Sequence, residues 1–191
     1  MTEQEVYQRK SQTYKLILLF AMISMVMMFA GLTSAYIVSS SRKDWLVDFS
    51  MPTAFVLSTL IMMVSSVTFH LAQKAIKKNH RSATTQFLLL TLALGVGFVV
   101  LQFVGFGQII DQGYFFTGSQ SNVTTSFMYI VIIAHLAHLF GGMIALLIII
   151  YNHFKQKYNS SQTIGIELGA MFWHFLDLLW VLLFLFFYFY K

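Results

Sequence analysis

There is no cysteine in this chain. That excludes disulfides, thiolate nucleophiles, iron–sulfur clusters and any thiolate-bridged copper site. It leaves the compartment open, because a membrane protein needs no covalent staple. Proline occurs once, at Pro52, so long helices can run without a built-in break. Charge is scarce as well. Asp, Glu, Lys and Arg make up 10% of the 191 residues, and only 7 are acidic. With 58% hydrophobic residues, there is too little polar surface to cover a soluble core, which makes this an integral membrane protein. The mean hydropathy of +0.72 agrees. A net charge of +5 would suggest a nucleic-acid partner in a soluble chain. Here the basic residues collect in short loops between apolar runs, so membrane topology is the simpler account. No cleavable signal peptide is read. The first apolar run is too long for the core of one, and no small-residue cleavage site follows it.

Five apolar runs are long enough to cross a bilayer, for which about 20 residues suffice. They cover approximately 16–38, 52–72, 85–110, 127–151 and 164–190. The expected fold is therefore all-α, one polytopic domain over 1–191 with five transmembrane helices. Five spans put the termini on opposite sides. One side collects Arg9, Lys10, Lys15, Lys74, Lys77, Lys78, Arg81, Lys155 and Lys157, and the other Arg42, Lys43 and Lys191. This asymmetry predicts a cytoplasmic N-terminus and an outer, periplasmic C-terminus, as in a bacterial plasma membrane. Asp44, Asp48 and Asp111 fall on the outer side.

The first span carries small-residue pairs, Ala30/Ser34 and Gly31/Ala35, that let another helix approach closely. The second carries a hydroxyl stripe, Ser58, Ser65 and Thr68, with Thr59 and Ser66 beside it. Such side chains bond across helices or back to their own carbonyls. In the third span Gly95, Gln102 and Gly105 lie near one face.

Chemistry concentrates in spans four and five. Glu167, His174 and Asp177 share one stripe of the fifth helix, flanked by Trp173 and Trp180. Ionisable groups at membrane depth cost about 3 kcal/mol or more each, so they invite a functional reading. His135 and His138, at i and i+3 on span four, fall at similar depth. The expected arrangement is a buried network between spans four and five. In it His135 meets Asp177, His138 lies level with His174, and Glu167 sits near the inner end. A metal held by His135, His138, His174 and a carboxylate is an alternative, as is axial haem ligation by paired histidines. A proton relay is a third. Hydrogen-bonded glue between helices outweighs all three, because the ligand set is thin and no continuous relay is visible. His70, His80 and His153 read as solvated or headgroup-facing residues. Trp45 reads as an interface anchor, while Trp173 sits too deep for one and suits packing or a lipid contact.

These pieces resemble subunit III of the haem–copper oxidases in its five-helix bacterial form. Glu167 followed by Trp173-His174-Phe175-Leu176-Asp177-Leu-Leu-Trp180 is similar to the family's E-x5-WHFVDxxW. The run from His135 and His138 to Gly141-Gly142 resembles HxxHxxxG, and Phe29-Ala-Gly31 with Tyr36 resembles the end of FFAGxxxAxY. Ser65-Ser66-Val67-Thr68 resembles an SSxT stripe, and Gly95, Phe98 and Gln102 a G-x2-F-x3-Q helix. The resemblance covers nearly the whole chain. It implies a non-redox subunit of a proton-pumping cytochrome c oxidase, or of a quinol oxidase. Haem would belong to a catalytic subunit I and copper to a subunit II. This chain would carry bound phospholipid, with no catalytic or metal-ligating residue of its own, and a larger respiratory supercomplex is a further possible setting. Within that reading His135, His138, Glu167, His174 and Asp177 form the polar network. Trp173, Trp180, Gly31, Tyr36 and Gln102 pack lipid or partner. A stand-alone transporter or a small histidine-containing membrane metalloenzyme is the reading from another class. The chain departs from the family twice: Met25 stands where the first-helix carboxylate is expected, and Gly105-Phe106 where the acid–tyrosine step is expected. Both losses favour scaffold and lipid roles over direct proton handling.

Overall fold

The computed structural model describes residues 3–43, 45–46, 50–118, 121–160 and 162–190. Asp44, Asp48 and Lys191, used above to weigh topology, lie outside the described residues. Among the described residues five helices follow one another: α1 Glu3–Ser39, α2 Thr53–Lys77, α3 Arg81–Asp111, α4 Val123–Phe154 and α5 Ile164–Phe189. All five are long and apolar enough to cross a membrane, so the chain is an all-α, multi-pass membrane protein.

α1 to α4 overrun the apolar runs that predict them, while α5 matches its run to within one residue. α1 continues through the polar residues ahead of Leu16 and reaches 37 residues. Backbone hydrogen bonding does not stop where hydropathy falls, because Glu, Gln, Lys and Arg are good helix formers. The ends are set by local chemistry. Pro52 stands just before α2, where a missing N–H costs nothing. Asn122 caps α4, its side chain accepting from the Thr124 N–H at 2.8 Å. The α2–α3 turn places Asn79 at φ 58°, a left-handed conformation that Asn tolerates and that closes a helix end.

α2, α3, α4 and α5 form a ring in which each helix packs on its sequence or ring neighbour, α2 with α3 most extensively. α1 lies outside this ring against α4 and α5. Among the described residues it has no packing contact with α2 or α3. Trp173, Trp180, Phe55, Phe69, Phe98 and Met62 are among the largest fully buried side chains and occupy the ring's interior. The exposed residues are largely aliphatic and aromatic, such as Phe20, Met27, Phe103 and Leu178, as a hydrocarbon solvent requires.

Candidate functional site: the polar seam of the fifth helix

The hydroxyl stripe of α2 meets the aromatic stripe of α5. Trp173 donates its Nε1–H to Ser65 Oγ at 3.1 Å, and Trp180 donates to Thr59 Oγ1 at 3.0 Å. One turn of the seam over, Ser66 Oγ lies 2.7 Å from His174 Nδ1. The three bonds run in register along two antiparallel helices. An indole N–H left unpaired in this interior would be costly, so each tryptophan is bound to the hydroxyl opposite it. On the other side of α2, Gln102 Nε2–H donates to Ser58 at 2.9 Å and Thr68 pairs with Thr91 at 2.8 Å. α2 is thus the polar spine of the ring, bonded to α3 on one side and α5 on the other.

Asp177 is 5% exposed, and neither carboxylate oxygen has a hydrogen-bond partner among the described residues. Its Oδ2 stands 4.0 Å from His174 Nδ1. His135 is fully buried, and both its ring nitrogens also lack partners. Rings surround it instead: Trp180 at 5.2 Å, Phe98 at 6.1 Å and Phe29 at 6.5 Å between centroids. No hydrogen bond joins His135 to Asp177. His138 turns back along its own helix, its Nδ1 2.7 Å from the Ala134 carbonyl, and meets Phe29 edge-on. The polar network expected between α4 and α5 is therefore not the one formed. His174 turns toward α2, where the Ser66 hydroxyl lies within reach, while His135 is enclosed by rings of α1, α3 and α5.

Glu167 occupies the inner end of the seam. Its carboxylate takes Lys15 Nζ of α1 at 2.7 Å and Lys77 Nζ of α2 at 3.1 Å, while Thr163 donates to it at 3.0 Å. One carboxylate thereby ties three helices together. Among the described residues no cluster of three or more His, Cys, Asp or Glu side chains is arranged to hold a metal ion.

With this geometry in view, the match to known proteins is specific. Residues 6–191 match the family model for cytochrome c oxidase subunit III. The chain belongs to the cytochrome c oxidase subunit III family. It is 29% identical over 171 residues to a cytochrome c oxidase subunit 3 from Thermostichus vulcanus, covering 87% of this chain and 82% of that one. A Spodoptera frugiperda cytochrome c oxidase subunit 3 is 32% identical over 133 residues, covering 68% and 84% of the two chains. A cytochrome bo(3) ubiquinol oxidase subunit 3 from Buchnera aphidicola is 28% identical over 187 residues, covering 95% and 89%.

Other positions expected to meet lipid or partner are, in this subunit III chain, mostly internal. Trp173 and Trp180 are 1% and 2% exposed and pack inside the ring. Tyr36 is buried among Trp45, Phe127, Phe186, Phe187 and Tyr190, and Gln102 is buried on Ser58. Gly31 is exposed, with no atom of another helix near it. His153 is a correction too: it is 3% exposed and links α4 to α3 through Thr85 at 2.9 Å. Its depth near a basic loop suggested solvation, but the hydroxyl of Thr85 supplies the partner that water would have been.

Gly105 shows why the missing acid is tolerated. A Cβ built there would run into the ring of Phe55. The space that a longer side chain would need is filled by an aromatic residue of α2. Sequence pattern alone does not pair Lys15, Lys77, Ser66 and Thr59 with the seam. The signal is there in two forms: Thr59 and Ser65, which take the tryptophans, lie six residues apart, close to the seven between Trp173 and Trp180, and both lysines stand on the same side of the membrane as Glu167.

Proposed function

We propose that the chain is the redox-free subunit III of a proton-pumping terminal oxidase in a bacterial plasma membrane. It braces the haem-bearing subunit I beside a copper-bearing subunit II, holds phospholipid and supports proton uptake. The observation that carries this reading is the family match over residues 6–191. The structure adds support. Four of the seam's side chains are spent on bonds between helices: Glu167 on two lysines, the two tryptophans and His174 on the hydroxyls of α2. An apolar cavity of about 410 Å³ between α1, α4 and α5, floored by Gly165 and Gly169 and walled by Leu18, Ile149 and Phe172, suits an acyl chain. The lysine balance favours a cytoplasmic N-terminus, and a larger supercomplex is compatible with this role. Cytochrome c is the favoured electron donor. The Buchnera relative, a ubiquinol oxidase subunit by name, makes quinol the second reading.

Purification separates this role from a stand-alone transporter or a metalloenzyme. The chain should co-purify with a larger subunit showing a haem spectrum and be colourless once separated. Isolation alone, with stoichiometric metal or haem, overturns the proposal. Within the assembled oxidase, Asp177→Asn tests the part played by the seam. A structural Asp177 predicts less assembled complex with unchanged turnover per complex. Selective loss of turnover at normal assembly points to proton handling.

A further inference from the structure

The turn between α2 and α3 gathers positive charge that nothing else in the fold answers. A hollow of about 720 Å³ opens there, at the lysine-rich end of the two helices, and Lys74, Lys78, His80 and Arg81 all line it. Among the described residues no acidic side chain does. Lys74 and Lys78 are exposed, stand four residues apart on one face of α2, and form no ion pair among the described residues. Like charges at that spacing repel along a helix. Their neighbour Lys77 is spent on Glu167. Arg81 donates one N–H to the His153 carbonyl at 3.3 Å, which occupies one of the five donors a guanidinium offers. Charge asymmetry across the membrane requires only that lysines lie on one side. It does not require them to converge on one hollow.

The turn holds these groups in place. Asn79 closes α2 at φ 58°, and its side chain clasps Ser160 of the α4–α5 loop twice. Its Oδ1 accepts from the Ser160 N–H at 3.1 Å, and its Nδ2–H donates to Ser160 Oγ at 3.3 Å. A site fixed in this way loses less conformational freedom when a ligand fills it.

Polarity then changes in steps with depth. Ser82 lies in the first turn of α3 and Gln86 one turn further in; both line the hollow, and their side chains have no hydrogen-bond partner among the described residues. Leu71 and Val67 continue the stripe of Lys78 and Lys74 inward along α2, and Leu89 continues that of Ser82 and Gln86 along α3. All three are exposed aliphatic residues. The order is cation, then hydroxyl and amide, then aliphatic. A phospholipid presents phosphate, glycerol ester and acyl chain in the same order.

We propose that this hollow is a headgroup site for an anionic phospholipid. Lys74, Lys78 and Arg81 donate to the phosphate oxygens, and Ser82 and Gln86 donate to the glycerol ester. A free phosphate would use the cations and leave Gln86 and the aliphatic stripe unused. The site is separate from the apolar cavity between α1, α4 and α5, whose lining carries no cation. The inference rests on the lipid-holding part of the subunit III reading and adds where the charge of a lipid is recognised and by which residues.

The test uses the intact oxidase in detergent. Phosphatidylglycerol and phosphatidylcholine of the same chain length are titrated in, and binding per complex is counted by native mass spectrometry. One phosphatidylglycerol should bind that phosphatidylcholine does not replace. Lys78→Gln should weaken it about fivefold and Lys74→Gln/Lys78→Gln about thirtyfold. Both lysines are exposed, so the fold is kept, and Lys74→Arg/Lys78→Arg should bind as the wild type does. Arg9→Gln/Lys10→Gln removes the same charge from the same membrane face outside the hollow and should leave the site unchanged. The inference is overturned by equal weakening in the Arg9/Lys10 variant, by equal binding of phosphatidylcholine, or by displacement of the lipid with millimolar inorganic phosphate. None of these results touches co-purification of the wild-type chain with haem. Failure of that co-purification overturns the subunit III reading itself, and the inference with it.

Discussion

At the scale of single residues, the two tryptophans of the seam are placed by the hydroxyls that take their N–H groups. Trp180 makes one bond to Thr59 and otherwise packs on Phe98, Phe55 and His135. Trp180→Phe keeps a ring and removes the N–H and part of the volume. It should destabilise the chain by about 1–2 kcal/mol, read as a lower melting temperature in detergent. Thr59→Ala combined with it should cost less than the sum of the two single changes, because they share the lost bond. Gly105 argues from volume. Gly105→Ala sets a methyl against Phe55 and should cost about 1–3 kcal/mol, with Gly105→Glu worse. Gly105→Ala combined with Phe55→Leu should recover part of the loss if the clash is the cause. The indoles, Glu167 and the hydroxyl stripe were all legible in the sequence. The pairing was not, because the spacing of a stripe names a helix face and leaves open which neighbour that face meets.

At the scale of elements, α1 is the loosest member. It packs on α4 and α5 from outside the ring, and at its inner end Lys15 holds Glu167 while the Tyr7 hydroxyl accepts from the Ile164 N–H at 3.2 Å. Glu167 stands opposite two cations, so Lys15→Gln or Lys77→Gln alone leaves one pair intact. Glu167→Gln removes both. The expected result is faster tryptic cutting at Arg9 and Lys10 in the Glu167→Gln protein than in either single lysine variant. Equal cutting in all three would show that α1 is held by apolar packing alone. Glu167 read from sequence as the inner end of an α4–α5 network; its partners prove to come from α1 and α2. The reason is geometric. The last turn of α2 and the first turn of α5 meet α1 at Lys15, and the long lysine side chains span the gap.

At the scale of the whole molecule, the prediction is topological. The chain has no cysteine, so single substitutions report cleanly. Lys155→Cys should be labelled by an impermeant maleimide only when the inner face is open, and Thr117→Cys from the outside of intact cells. The reverse pattern would invert the orientation inferred from the lysine balance. Five helices and their order were readable from hydropathy alone, since each run is long enough to span and each break carries charge, Pro52 or a polar loop. The ring closed by α2 and α5, with α1 left outside it, was not readable.

Composition and pattern by themselves determined the membrane class, the number of helices, the charge asymmetry and, through the Trp173–Trp180 motif, the likeness to subunit III. They do so because hydrophobic length, charge and residue spacing are properties of a single helix and its solvent. Tertiary structure alone decided that α2 carries the bonds, that His135 sits in rings without a partner, that His174 pairs with Ser66, and that Phe55 fills the space above Gly105. Each depends on which two faces are brought together. That choice follows from packing volumes and polar complements summed over several helices, which no one segment records.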